Sequence, residues 1–157
     1  MIQGLHHAAY RCRDSEETRR FYEDFLGLRL AHALEISTTK SGRSANVLHT
    51  FYEMGDGSFI AFFEEPGKSF EFKEQRDFDL HIALEVDMET LHGMLARGKE
   101  AGIETRGVAD HGFIHSIYFR DPNGYVIELT APTGEAMAQR PAAEILADWQ
   151  AAKPAAA

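Results

Sequence analysis

The chain has 157 residues, 44% apolar and 26% charged, an ordinary globular mixture with length enough for one domain or two small modules sharing a core. Twenty-five acidic residues against sixteen basic ones leave a net charge of −9 with no Lys/Arg cluster, which argues against nucleic acid and anionic membrane surfaces as partners. The lone Cys12 cannot form an internal disulfide, no basic-then-apolar leader opens the chain, and no apolar run reaches the roughly 20 residues of a membrane span, so a cytoplasmic protein is expected.

In chain order, Leu5 to Arg13 reads as a strand. Asp14 is an N-cap with Glu17 three residues on, and SEETRRFYEDFLGL follows as a helix ending at Gly27. Leu28 to Ser37 is a second strand and TTKSGRSAN a polar loop. Val47 to Met54 and Ser58 to Phe63 form a hairpin across Gly55-Asp56-Gly57. Residues 1–65 thus make a first module. Residues 66–79, charged and without a period, read as a linker.

The order then recurs over residues 80–132. Leu80 to Val86 is a strand, Met88 to Ala101 a helix stopped by Gly102, and Ile103 to Ala109 a strand. Ile114 to Arg120 and Tyr125 to Thr130 pair across Asp121-Pro122-Asn123-Gly124. The tail, 133–157, carries a helix from Pro141 to Gln150. Its stripe of Ile145, Leu146 and Trp149 is a packing face for the domain or for a second subunit.

Strand, helix and three strands, twice over, is an internal repeat. His7-Ala8-Ala9-Tyr10 matches His81-Ile82-Ala83-Leu84. Aligning Gly57 with Gly124 sets Ala61 opposite Glu128, Phe51 opposite Tyr118 and His49 opposite Ser116. The first module is seven residues longer between its histidine and its turn glycine, an excess assigned to the TTKSGRSAN loop. Glu128 stands in the otherwise apolar run VIELTAP, where a carboxylate is costly unless something pairs with it.

The segments LHHAAYRCRD leading into RRFYEDFLGL, then LHIALEVD, then YFRDPNGYVIEL, resemble the vicinal-oxygen-chelate superfamily over residues 4–132. That group includes glyoxalases, bleomycin-resistance proteins, fosfomycin-resistance proteins and extradiol dioxygenases. The resemblance implies an α+β fold in which two repeated βαβββ modules form a curved mixed sheet around a metal-binding cup. It places the metal positions on His7, Ala61, His81 and Glu128. Two imidazoles and a carboxylate suit Fe(II) first, with Mn, Ni or Zn as alternatives, and Ala61 leaves a position open. A buried Glu128 balanced by a cation resolves the oddity of VIELTAP.

The leading expectation is therefore an Fe(II) dioxygenase of the extradiol ring-cleaving type, acting with O2 on a small substrate with vicinal oxygens. A glyoxalase-like lyase or isomerase is the alternative, although such proteins usually carry a fourth ligand. A thiol transferase is disfavoured because Ala9 has no hydroxyl. A metal-free binding protein of the bleomycin-resistance type would have no need of the His7, His81 and Glu128 set. A homodimer is expected, with the pairing of modules within or between chains left open.

Tyr118, ten residues before Glu128, is either an orienting phenol or a core aromatic. His49, His111 and His115 are candidate acid/base groups, each equally readable as a surface or satisfied histidine. Strand alternation sends His6 to the face opposite His7. Phe51, Phe59, Ala61 and Phe63 are candidate pocket liners, and Arg43 either covers the cup to meet an anionic substrate or is merely solvated.

Overall fold

The structure is a computed structural model that describes residues 1–137 and 140–154; residues 138–139 and 155–157 of the expected tail lie outside the described residues. The first module comprises β1 (His7–Arg11), α1 (Ser15–Arg19), a π-helical segment (Arg20–Phe25), β2 (Arg29–Thr38), β3 (Ser44–Glu53) and β4 (Phe59–Glu64). The second comprises β5 (Ile82–Glu85), α2 (Met88–Glu100), β6 (Thr105–Asp110), β7 (Ile114–Arg120) and β8 (Val126–Pro132). A final helix, α3 (Ala142–Ala152), follows. The two repeated modules and the α+β class are as the sequence implies.

Each module makes its own four-stranded mixed sheet, in the orders β1-β4-β3-β2 and β5-β8-β7-β6. In both, the first strand lies parallel to the fourth and the other pairings are antiparallel. The repeat extends to register. Ala9 faces Ala61 as Ala83 faces Glu128, and Phe51 faces Ala61 as Tyr118 faces Glu128.

Side-chain alternation divides each sheet into two faces. Tyr52, Ile60 and Phe62 from the first sheet and Ile117, Phe119, Ile127 and Leu129 from the second join one buried cluster with Phe21, Tyr22, Phe25, Leu91 and Met94. The helical segments are thus sandwiched into a core shared by both modules. Tyr22 packs on Phe62 at 4.7 Å and Phe25 on Phe119 at 5.2 Å, ring centre to ring centre. Cys12 is fully buried here, and burial pushes its thiol up to about 11.

The helix read through Leu26 as one continuous run changes period midway. Asp14 caps it as expected, accepting from the Glu17 amide at 2.8 Å, but from Arg20 onward the winding is π-helical, with the Leu26 amide donating to Phe21 at 2.9 Å. The wider turn brings Phe21, Tyr22 and Phe25 all to the core. The seven extra residues of the first module do not swell its loop. They lengthen both strands of the β2–β3 hairpin, ten residues each against six and seven in the second module. Their side chains are largely exposed, so no apolar alternation marked them as strand.

The DPNG turn is a structural keystone. Asp121, buried, accepts from the Tyr22 hydroxyl (2.9 Å), the Asn123 and Tyr125 amides (2.9 and 2.8 Å) and the Asn123 side chain (3.1 Å). Asn123 in turn accepts from the Arg13 amide at 2.9 Å, and the Tyr125 hydroxyl donates to the Arg11 carbonyl at 2.8 Å. The second module's turn is thereby bolted to the first module's strand and helix. The linker crosses this turn as well, its Lys73 and Gln75 amides donating to Asn123 and Gly124 at 2.9 and 3.0 Å. A Cβ on Gly124 would lie 2.6 Å from the Lys73 nitrogen, and its φ is +95°, so only glycine fits. Replacing Asp121 by Ala strands the Tyr22 hydroxyl and two amides in the core. A loss on the order of 3 kcal/mol is expected, read as a lowered midpoint in urea unfolding.

Candidate metal-binding site

The second sheet's outer face carries the strongest constellation. Ala83, Glu128, Tyr118 and Arg106 form one cross-strand row over β5, β8, β7 and β6. Glu128 is only 6% exposed, and His81, immediately before β5, places its Nε2 3.1 Å from a Glu128 oxygen. The other ring nitrogen, Nδ1, lies 2.7 Å from the Asp77 carbonyl. A carbonyl can only accept, so Nδ1 carries the hydrogen and Nε2 is the atom aimed at the carboxylate.

That arrangement is a test of fit for a metal. A neutral imidazole in this tautomer points a lone pair at a carboxylate, which is repulsive unless a proton or a cation lies between them. Among the described residues no Lys or Arg pairs with Glu128; its ion-pair partner is His81. One imidazole nitrogen, oriented through its opposite nitrogen, and one buried carboxylate oxygen are suitable donors for a divalent first-row ion.

Tyr118 flanks this pair. Its ring lies under the Arg106 guanidinium, 5.1 Å away, and its hydroxyl is 3.3 Å from His111 Nε2. Burial, and then the Glu128 charge, push the phenol's pKa up, so it is a hydrogen-bond donor at neutral pH. Arg106 also grips the Asp77 carboxylate at 2.8 and 3.0 Å, and this holds the Asp77 carboxyl below the usual range. His115 lies on the opposite face of β7 from Tyr118, and its neighbour is Asp110, at 3.5 Å.

His7 belongs to the other sheet. Its ring packs against Phe51 at 5.6 Å and His49 at 6.2 Å. His49 is buried, bonded through Nδ1 to the Phe62 carbonyl (3.0 Å) and stacked on Phe63 at 3.7 Å. Phe59 lies 5.9 Å from Phe51, and Ala61, fully buried beside them, offers no donor atom. His6 does not turn away from His7. The regular strand begins only at His7, so alternation does not govern residue 6, and the two Nδ1 atoms approach to 2.7 Å. Arg43 sits at the β2–β3 turn, bonding Thr39 and Ser41.

Within one chain the expected trio is therefore divided. His81 and Glu128 meet with Tyr118 and His111 around them, while His7, His49 and the phenylalanines line the other module. Among the described residues no three metal-binding side chains come together. Sequence reading missed Asp77 and Arg106. Asp77 lies in a linker with no period, and Arg106 becomes visible only through its strand register to Tyr118.

A family profile described as Glyoxalase/Bleomycin resistance protein/Dioxygenase superfamily matches residues 4–129. The chain belongs to this superfamily. Among solved structures in the superfamily's fold is a mutant of the fosfomycin-resistance protein FosX from Listeria monocytogenes, complexed with Mn(II) and 1S,2S-dihydroxypropylphosphonic acid. It is 25% identical at a TM-score of 0.63, covering 85% of this chain and 96% of that one. FosX from Mesorhizobium loti aligns at 25% identity and TM-score 0.62 over 94% and 99% of the two chains. A glyoxalase/dioxygenase from Nostoc punctiforme aligns at 25% identity and TM-score 0.63 over 83% and 91%. No curated protein matches the chain. A divalent metal is thus found in a protein similar to this member of the glyoxalase superfamily.

The geometry sets a spectroscopic expectation. Removing the Glu128 charge by Glu128→Gln lowers the Tyr118 pKa, because a nearby carboxylate disfavours the phenolate. Tyrosinate absorbance during alkaline titration, with Tyr118→Phe identifying the signal, reads the shift. An unmoved Tyr118 would mean that the two groups do not interact.

Proposed function

We propose that the protein is a divalent-metal-dependent enzyme acting on a small substrate with two vicinal oxygens, and that two copies of the chain complete each centre. His81 and Glu128 come from one copy and His7 from the other. The observation carrying this reading is the buried Glu128 carboxylate facing the Nε2 of a histidine whose Nδ1 is already committed to the Asp77 carbonyl. The division of the trio supports the pairing of copies. The modules bury their helical sides against each other, so each chain offers two complementary half-sites facing outward, and a two-fold pairing joins each to its complement.

The favoured reaction is extradiol ring cleavage with Fe(II). Bound there, such an ion would draw the substrate's two oxygens into one orientation and provide for reaction with O2. The chain's own groups would do the rest. Tyr118 donates its hydrogen bond to a substrate oxygen, and His111, 3.3 Å from that hydroxyl, takes up and returns a proton. Phe51, Phe59 and Phe63 supply an apolar wall beside the incoming His7, and His49 lies among them as a second base. Ala61 leaves its corner without a protein donor. The single buried cysteine is consistent with a cytoplasmic setting, and no helix among the described residues is long and apolar enough to cross a membrane.

A second reading, Lewis-acid chemistry on an oxygenated small molecule without O2, is favoured by the FosX complex, which holds Mn(II) together with a vicinal diol. Oxygen uptake decides between the two. Protein loaded anaerobically with Fe(II) is expected to consume O2 with some member of a catechol panel. Turnover of diols, epoxides or 1,2-dicarbonyl adducts with Mn(II), and none with O2, would establish the second reading. Stoichiometric metal absent after loading with either ion would leave a metal-free binding protein.

The shared centre has its own test. His7→Ala and Glu128→Gln proteins are each expected to lose metal retention. Mixed and re-equilibrated, they form some dimers in which one centre is intact, returning about a quarter of the unaltered metal content for random pairing. Metal analysis with no recovery would place all three ligands in one chain or dismiss the trio.

A further inference from the structure

Resting on the metal reading above, we infer that Arg106 and Asp77 are positioning residues that aim His81 at the metal. The geometry is a short chain of contacts. The Arg106 guanidinium holds the Asp77 carboxylate with two hydrogen bonds, 2.8 and 3.0 Å long. Asp77 then uses its main-chain carbonyl, not its carboxylate, to accept from His81 Nδ1 at 2.7 Å. His81 Nε2 is left facing Glu128 at 3.1 Å.

Each link has a physical task. His81 precedes β5, whose paired residues run from Ile82 to Glu85, so ladder bonds do not set its ring. The turn Arg76–Asp79, closed by the Asp79 amide on the Arg76 carbonyl at 3.0 Å, carries the Asp77 carbonyl. This turn ends the linker, which has no regular secondary structure of its own, so the side-chain fork of Arg106 ties it to the sheet. A planar guanidinium meeting a carboxylate at two points fixes direction as well as distance. The same guanidinium covers the Tyr118 ring at 5.1 Å, so one side chain registers both the histidine's holder and the phenol. Arg106 reaches this place because β6 sets it directly opposite Tyr118, which itself stands opposite Glu128.

The test uses the full chain and two readouts, one of them free of metal. In metal-free protein, the His81 ring proton on Nδ1 is expected to exchange slowly with solvent by nitrogen-edited NMR. Arg106→Ala and Asp77→Ala should each abolish that protection, and Arg106→Lys should restore it in part. In Mn(II) titrations, Arg106→Ala and Asp77→Ala should each weaken binding on the order of tenfold, the lower end of what outer partners of metal-bound histidines contribute. The double variant should be no worse than either single one, because both changes open the same clamp. Circular dichroism should match the unaltered protein in every case.

A slowly exchanging Nδ1 proton that survives Arg106→Ala, or one absent from the unaltered protein, would overturn the inference. So would additive losses of Mn(II) affinity. Failure of the metal reading looks different: Mn(II) binding that is absent or indifferent to His81→Ala and Glu128→Gln, with ring-proton protection still dependent on Arg106. In that outcome the clamp stands and its purpose is something other than holding a metal.

Discussion

The buried hydrogen-bond cluster around Asp121 is the constraint on which the arrangement depends. It joins the second module's turn to Tyr22 and, through Asn123 and Tyr125, to the main chain at Arg13 and Arg11 of the first. Once those links are made, the helical sides of both modules are committed to one core. The outer faces of the two sheets are then where His7, Glu128 and Tyr118 are displayed. The separation of His7 from His81 and Glu128 follows from this packing and not from any weakness in the repeat.

The two outer faces are chemically unequal although their backbones match. The row Ala83, Glu128, Tyr118 and Arg106 has as its counterpart Ala9, Ala61, Phe51 and His32. One face therefore carries carboxylate, phenol and guanidinium, and the other aromatic rings and imidazoles. Duplicated halves that have diverged in this way would complement each other in the proposed centre: one would supply charge and hydrogen bonds, the other an apolar wall and a further nitrogen donor. The proposed two-fold assembly would match them without requiring the linker to move. The same logic accounts for Ala61. In the proposed centre a donor at that position would add a further protein ligand, and its absence would leave coordination free for substrate.

Charge placement supports the same division. Several acidic residues pair with surface arginines, as Glu16, Glu23 and Asp24 do around Arg19. Exposed pairs of that kind add little stability. Glu128 differs from these, buried and facing a histidine whose tautomer is set from behind. Tyr118, pushed up by burial and by that charge, keeps its proton beside it. The second sheet's outer face thus carries a carboxylate, a protonated phenol and a guanidinium in one row.

Much of this was legible in the residues alone. The repeat, the DPNG and GDG turns, the N-cap at Asp14, and the correspondence of His7 with His81 and of Ala61 with Glu128 are local patterns, written in spacing and turn chemistry. Amphipathic periods report local burial, so β7 and α2 were found nearly to the residue. What spacing could not convey was anything dependent on partners distant in the chain. The π-helical winding after Arg20 answers to a core supplied by β3, β4 and β7, and the extra length of the β2–β3 hairpin is held by backbone pairing whose exposed side chains carry no alternation. The neighbourhood of His6 and His7, the turning away of His115, and the roles of Asp77 and Arg106 were likewise decided in three dimensions. A one-dimensional pattern names the residue types able to bind an ion or move a proton; only the packing of one module against the other decides which of them face the same space.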